Sequence, residues 1–276
     1  MDSLNRLKKI TSSFSTSEKM PLLFLGHGSP MNGIEENEYT LGFTKVAKTI
    51  PKPRAIICIS AHWFTSGTKI TAMRKPRTIH DFGGFPKELY EVQYPAKGNP
   101  QLARETKELL NPAMAELDKN WGLDHGAWTV IKHLYPNADV PVIQLSIDYT
   151  KDAEYHFELA KQLNSLRNKG ILIIGSGNII HNLRLVDFQN IRKDNYGFDW
   201  AIEAHDTINS MLLEGDYNSL IQYKKQSNAF KLAIPTPEHY LPLIYILGLQ
   251  GKGEKLNLFN DKLIAGSISM TSLKIS

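Results

Sequence analysis

Three apolar runs in this chain end in a turn that carries a histidine. Leu22–Leu25 runs into Gly26-His27-Gly28-Ser29, and Ala55–Ile59 runs into Ser60-Ala61-His62. Ile171–Ile174 runs into Gly175-Ser176-Gly177-Asn178, with His181 three residues further on. Short apolar runs bounded by turn residues read as buried parallel strands. In open α/β sheets, ligands bind in the crevice outside the carboxyl ends of such strands. One strand ending in histidine is a coincidence of composition. Three point to imidazoles converging on one rim, and imidazole is the commonest protein ligand of transition metals.

The chain between these runs alternates helix and strand patterns. Helical spacing runs from Tyr39 to Ile50 and is stopped by Pro51-Lys52-Pro53, since proline lacks the amide donor. Asn99 caps a helix with Pro100 at its first position. Further strands are expected at 69–73 and 141–147, and helices at 128–134, 152–168, 198–213 and 216–225, with another opening after Ile234. The tail 266–275 alternates like a half-exposed strand. With no repeat and no linker in its 276 residues, the chain is expected to be an α/β single domain. Its central sheet is largely parallel but mixed, helices flank it, and a metal site sits at the strand carboxyl ends. Residues 1–18, polar and serine-rich, read as an N-terminal extension to a catalytic domain over 19–276.

Composition narrows the function classes. The formal net charge is +4, with no basic block interleaved with aromatics, so the footprint of a nucleic-acid binder is missing. No apolar run approaches the ~20 residues of a membrane span, and the first ten residues lack the core of a signal peptide. The single cysteine, Cys58, lies in an expected buried strand and suits a reducing, cytoplasmic setting. No heptad or apolar stripe fixes an oligomeric state, so a monomer or small homo-oligomer is expected.

Nine histidines sort by context. His156 and His205 fall inside amphipathic helices and His133 follows a short one, so these three read as surface or satisfied core residues. His27, His62 and His181 follow strands, and His239 stands at a helix start between prolines. His80 and His125 sit in glycine-rich loops beside Asp81 and Asp124. The loop 74–98, with His80, Phe82 and Phe85, is long, irregular and aromatic, and is expected to line a pocket. The glycine turns complete neither a dinucleotide fingerprint nor a P-loop, and Ser29 and Ser176 lack a nucleophile elbow.

Six ordered strings carry a resemblance. They are Gly26–Asn32, Ser60–Trp63, Thr78–Pro86, Asp124–Gly126, Ser176–Leu183 and Pro235–Pro242. Together they resemble the LigB-type (class III) extradiol ring-cleaving dioxygenases, nearest the DOPA 4,5-dioxygenase-like subgroup. The resemblance implies one divalent ion per chain, Zn2+ or Fe2+, surrounded by His27, His62, His181 and His239. It implies His125 as the acid/base residue and His80, Phe82 and Phe85 at the substrate. The wider class uses two histidines and a glutamate, which leaves Glu238 as the alternative to His239. Neighbours on a helix point ~100° apart, so only one of the pair is expected to bind. The implied reaction inserts O2 into a catechol such as DOPA, opening the ring beside the diol (4,5-cleavage) to a muconic semialdehyde. The alternative is a zinc-dependent hydrolase of a small ester or amide.

Overall fold

The computed structural model describes residues 19–110, 114–191 and 193–276. The extension expected over 1–18 lies outside the described residues. Among the described residues twelve strands occur, in chain order β1 Leu22–Gly26, β2 Ala55–Thr65, β3 Lys69–Thr71, β4 Arg77–Thr78, β5 Glu116–Asp118, β6 Gly122–Leu123, β7 Val142–Asp148, β8 Ile171–Gly177, β9 Leu256–Phe259, β10 Leu263–Ile264, β11 Ile268–Ser269 and β12 Ser272–Ile275. Eight form one sheet in the order β5-β3-β7-β2-β8-β1-β12-β9. Its centre, β7-β2-β8-β1, is parallel. The flanks turn antiparallel, at β3 on one side and at β12 and β9 on the other.

Both faces of the centre are apolar because alternate residues serve different cores. Leu22, Phe24, Ile57, Ile59, Ile143 and Ile173 pack under the helices 153–161, 199–214 and 241–248. Leu23, Leu25, Ile56, Cys58, Leu172 and Ile174 pack under the helices 38–47 and 125–134. This two-sided burial explains why the strands read as unbroken apolar runs.

Several expectations need correction. The strand expected to stop at Ser60 continues to Thr65. The helix expected at 128 starts at His125, because Asp124 accepts from the Ala127 amide and caps it there. The helix expected over 152–168 is two, 153–161 and 164–167. The tail is not half-exposed: β12 is wedged between β1 and β9, and Ser272, Leu273 and Ile275 are buried.

Candidate metal centre

Each strand end delivers its histidine by a different local device. At β1 the His27 amide donates to the Gly177 carbonyl at 3.0 Å, continuing the pairing with β8. Gly28 then takes φ +61°, and a Cβ there would meet Met270 Sδ at 2.5 Å, so the turn requires glycine. At β2 the register slips: Ile59 pairs Leu145 but Phe64 pairs Ile147, five steps against two. Such an irregularity re-aims side chains, and His62 lies within it. His125 enters on the first turn of helix 125–134. His239 is brought in by the loop before helix 241–248, whose carbonyl accepts from the Asn178 amide at 3.0 Å.

The rings converge. Ring centres of His27 and His62 lie 5.0 Å apart, those of His27 and His239 5.3 Å, and those of His62 and His239 5.0 Å. His125 lies 3.8 Å from His62 and 5.8 Å from His27. His27, His62 and His125 each bring one nitrogen within 4.8 Å of the others. Among the described residues no other group of histidine, cysteine or carboxylate side chains does so. His181 stacks outside His239, with centres 3.5 Å apart and planes 11° apart. Glu238 accepts from Thr236 Oγ1 at 2.6 Å and lies 3.5 Å from His239 Nδ1.

Hydrogen bonds assign one tautomer. Ser176 Oγ donates its only proton to the Gly126 carbonyl. His27 Nδ1, 3.1 Å from that Oγ, must therefore carry the ring proton, which leaves Nε2 bare. His27 Nε2 faces His62 Nε2 at 3.2 Å. Two nitrogens that close need a proton or a cation between them, and their spacing is that of neighbouring ligand atoms on an ion with ~2.0–2.1 Å bonds. His239 Nδ1 is buried without a hydrogen-bond partner. The donor set thus fits a divalent ion.

Burial keeps these rings neutral. It drives His27 and His239 well below the usual imidazole range, helped by the neighbouring rings. It takes His62 to about 3, with His125 adding to the fall and Asp81 opposing it. It takes His181 to about 4. Asp124 is buried and pushed upward by desolvation and by Asp81, against hydrogen bonds from Gln144 and Ser60.

The expected substrate loop is split in role. Phe82 stands edge-on to His125, with ring centres 5.5 Å apart, and Phe85 packs on Phe82 at 5.4 Å. His80 instead engages the Val92 carbonyl through Nε2 at 2.9 Å, within its own loop. Two residues that sequence reasoning left without a role touch the histidines. Ser176 is one. Asp81 is the other, with Oδ2 3.4 Å from His62 Nδ1 and Oδ1 3.0 Å from His125 Nδ1. The signals were Asp81 in the loop of His80 and a serine between the two glycines at the end of β8.

An α/β sheet whose parallel strands converge histidines on one rim, beside an aromatic loop, defines a metalloenzyme-like centre. Comparison with known proteins gives the family. The family model for the catalytic LigB subunit of aromatic ring-opening dioxygenase matches residues 21–270. A protein of Escherichia coli K12 named 4,5-DOPA dioxygenase extradiol is 46% identical over 264 residues, covering 94% of this chain and 96% of that one. A protein of the same name from Beta vulgaris is 34% identical, covering 92% and 95%. The crystal structure of an uncharacterized Escherichia coli K12 protein matches with TM-score 0.80 at 42% identity, covering 93% of this chain and all of that one. The chain belongs to the LigB family of extradiol ring-opening dioxygenases, in its 4,5-DOPA dioxygenase-like subgroup.

Proposed function

We propose that the chain is a metal-dependent enzyme that inserts O2 into a catechol such as DOPA, cleaving at the 4,5 position to a muconic semialdehyde. The single observation that carries the metal reading is the ring geometry. Three imidazoles on one four-coordinate ion hold their centres about 5 Å apart. His27, His62 and His239 have that ring spacing, at 5.0 to 5.3 Å, while the nitrogens that lie within 4.8 Å of one another are those of His27, His62 and His125. His125 is closer to His62 than such a shell allows, at 3.8 Å, and this favours it as the acid/base residue. His181 belongs to the same group of rings. An imidazole binds a metal in its own plane, so a ring stacked on His239 reaches the ion only after leaving the stack.

The ion is Fe2+ or Zn2+, one per chain. Fe2+ supplies a route for electrons between diol and O2, whereas Zn2+ supplies Lewis acidity alone. The protein's own residues do the rest. His125 accepts a catechol proton and returns it during ring opening. Phe82 and Phe85 wall the ring, with His80 behind them. The lone buried Cys58 suits a cytoplasmic setting. No helix among the described residues is long and apolar enough to cross a membrane. The hydrolase alternative needs a carboxylate base, and Glu238 already accepts from Thr236 and faces His239.

Two variants test the assignment. His125→Ala is expected to keep one ion per chain by elemental analysis and to lose roughly 10²–10⁴-fold in turnover. His239→Ala is expected to lose the ion. Metal loss in His125→Ala would make His125 a ligand, and unchanged turnover would remove it from the mechanism.

A further inference from the structure

Among the described residues, Asp81 is the only carboxylate whose two oxygens face two rings of the cluster. Its Oδ1 accepts the His125 main-chain N–H at 2.9 Å and lies 3.0 Å from the same residue's Nδ1, off the angle of a hydrogen bond. Its Oδ2 lies 3.4 Å from His62 Nδ1. None of the ion pairs among the described residues gives Asp81 a lysine or arginine, and its side chain is 20% exposed.

A histidine can present a bare Nε2 to a metal or to a substrate proton only if Nδ1 holds the ring proton, and that proton needs an acceptor. Ser176 meets this need for His27. Asp124, the other carboxylate nearby, has its oxygens filled by Ser60 Oγ, Gln144 Nε2, Trp121 Nε1 and the Ala127 amide. Among the carboxylates of the described residues, Asp81 remains for His62 and His125.

We infer that Asp81 is a positioning residue that sets the Nδ1–H tautomer of both His62 and His125 and so holds the metal-binding ring and the proton carrier in one orientation. His125 Nδ1 is buried without another partner and has this carboxylate 3.0 Å away. The same residue anchors the loop that carries Phe82, whose ring stands 5.5 Å from His125. One side chain thereby ties ligand, base and pocket wall. The inference rests on His62 as ligand and His125 as proton carrier, and its test reads the rings directly.

The experiment compares wild type with Asp81→Asn, Asp81→Glu and Asp81→Ala in the full chain. Histidine ring ¹H–¹⁵N correlation spectra are recorded on the Zn2+-loaded, diamagnetic protein, and Zn2+ affinity is measured by chelator competition. Asparagine keeps one acceptor and the shape of the side chain, so it serves both rings no longer. The expected result is a mixed tautomer at His125, with His27 unchanged; at His62, whose Nε2 the ion would hold, the change is read in the Zn2+ affinity. Zn2+ binding weakens about 10–100-fold, and glutamate partly restores both. On the Fe2+-loaded protein, kcat for a catechol falls while KM stays within about twofold, which a general loss of structure would not produce. Wild-type tautomers and affinity in folded Asp81→Asn would overturn the inference. If Asp81→Ala does not fold, Asp81→Asn decides. If no form turns over a catechol, the proposed reaction fails while the spectra and affinities still decide the role of Asp81.

Discussion

An imidazole serves a metal through a bare nitrogen, and burial favours the neutral ring that offers one at His27, His62, His181 and His239. The same force acts on His156, which is no part of the site. His156 is enclosed between Tyr245 Oη at 2.9 Å and the Asp148 carbonyl at 3.2 Å, and burial lowers it to about 4. The unfolded chain takes this proton below about pH 6.5, whereas the folded chain refuses it until about pH 4. Stability therefore rises with pH across that window and is lost as pH falls through it. At roughly 1.36 kcal/mol per unit the contribution at pH 5 is about 2 kcal/mol. Urea unfolding at pH 7 and pH 5 should show a drop smaller by about that amount in His156→Asn than in wild type. An equal drop would remove His156 from the pH dependence. At this scale the histidines were legible because each one in the cluster follows a strand, starts a helix or adjoins a glycine turn. Asp81 was not, since nothing in one sequence says that residues 81, 62 and 125 meet.

The ends of elements place the site, and β8 is the clearest case. Its Gly175-Ser176-Gly177 end is narrow because the loop carrying His239 crosses it. A Cβ on Gly177 would stand 2.2 Å from the His239 carbonyl oxygen, and one on Gly175 would stand 2.5 Å from the Pro242 oxygen. Gly177→Ala is predicted to push the loop outward, costing about 1–3 kcal/mol by overpacking and weakening metal retention. A melting curve and a metal analysis check both, and wild-type values in each would refute the account of this crossing. Gly126 is comparable, with a Cβ 2.6 Å from Ser60 Oγ and 2.7 Å from His62 Cδ2. Elements with strong local signals were legible: the Asn99 cap accepts from the Leu102 amide at 3.0 Å, with Pro100 following. The start of helix 125–134 was hidden by Gly126, which reads as loop but is there for close approach. Strands β5 and β9 went unseen because they are short and lie at the sheet edges, where one face stays polar.

On the scale of the whole molecule, the eight-stranded mixed sheet is completed by the late strands β12 and β9. Three Cα pairs, Leu22–Ile275, Leu23–Lys274 and Phe24–Leu273, join β12 to β1, the strand that carries His27. Met270 also packs against the turn at Gly26 and Gly28. Deleting residues 266–276 would expose the backbone edge of β1 and uncover this turn, leaving an unpaired edge that invites aggregation. The truncated chain is predicted to lose cooperative melting, and a sharp wild-type transition would contradict that. The α/β class was legible from the alternation of patterns. The antiparallel flank was not, because its strand pairing is nonlocal and the tail reads as half-exposed until β1 and β9 cover it. The central claim, a metal-dependent oxygenase built on the histidine rim, is tested most directly by oxygen uptake. Protein purified anaerobically would be loaded separately with Fe2+ and with Zn2+ and given L-DOPA and a small panel of catechols. The account predicts Fe2+-dependent uptake of one O2 per catechol consumed, with a yellow ring-opened product. No uptake from protein shown to hold one ion per chain, with any catechol of the panel, would contradict it.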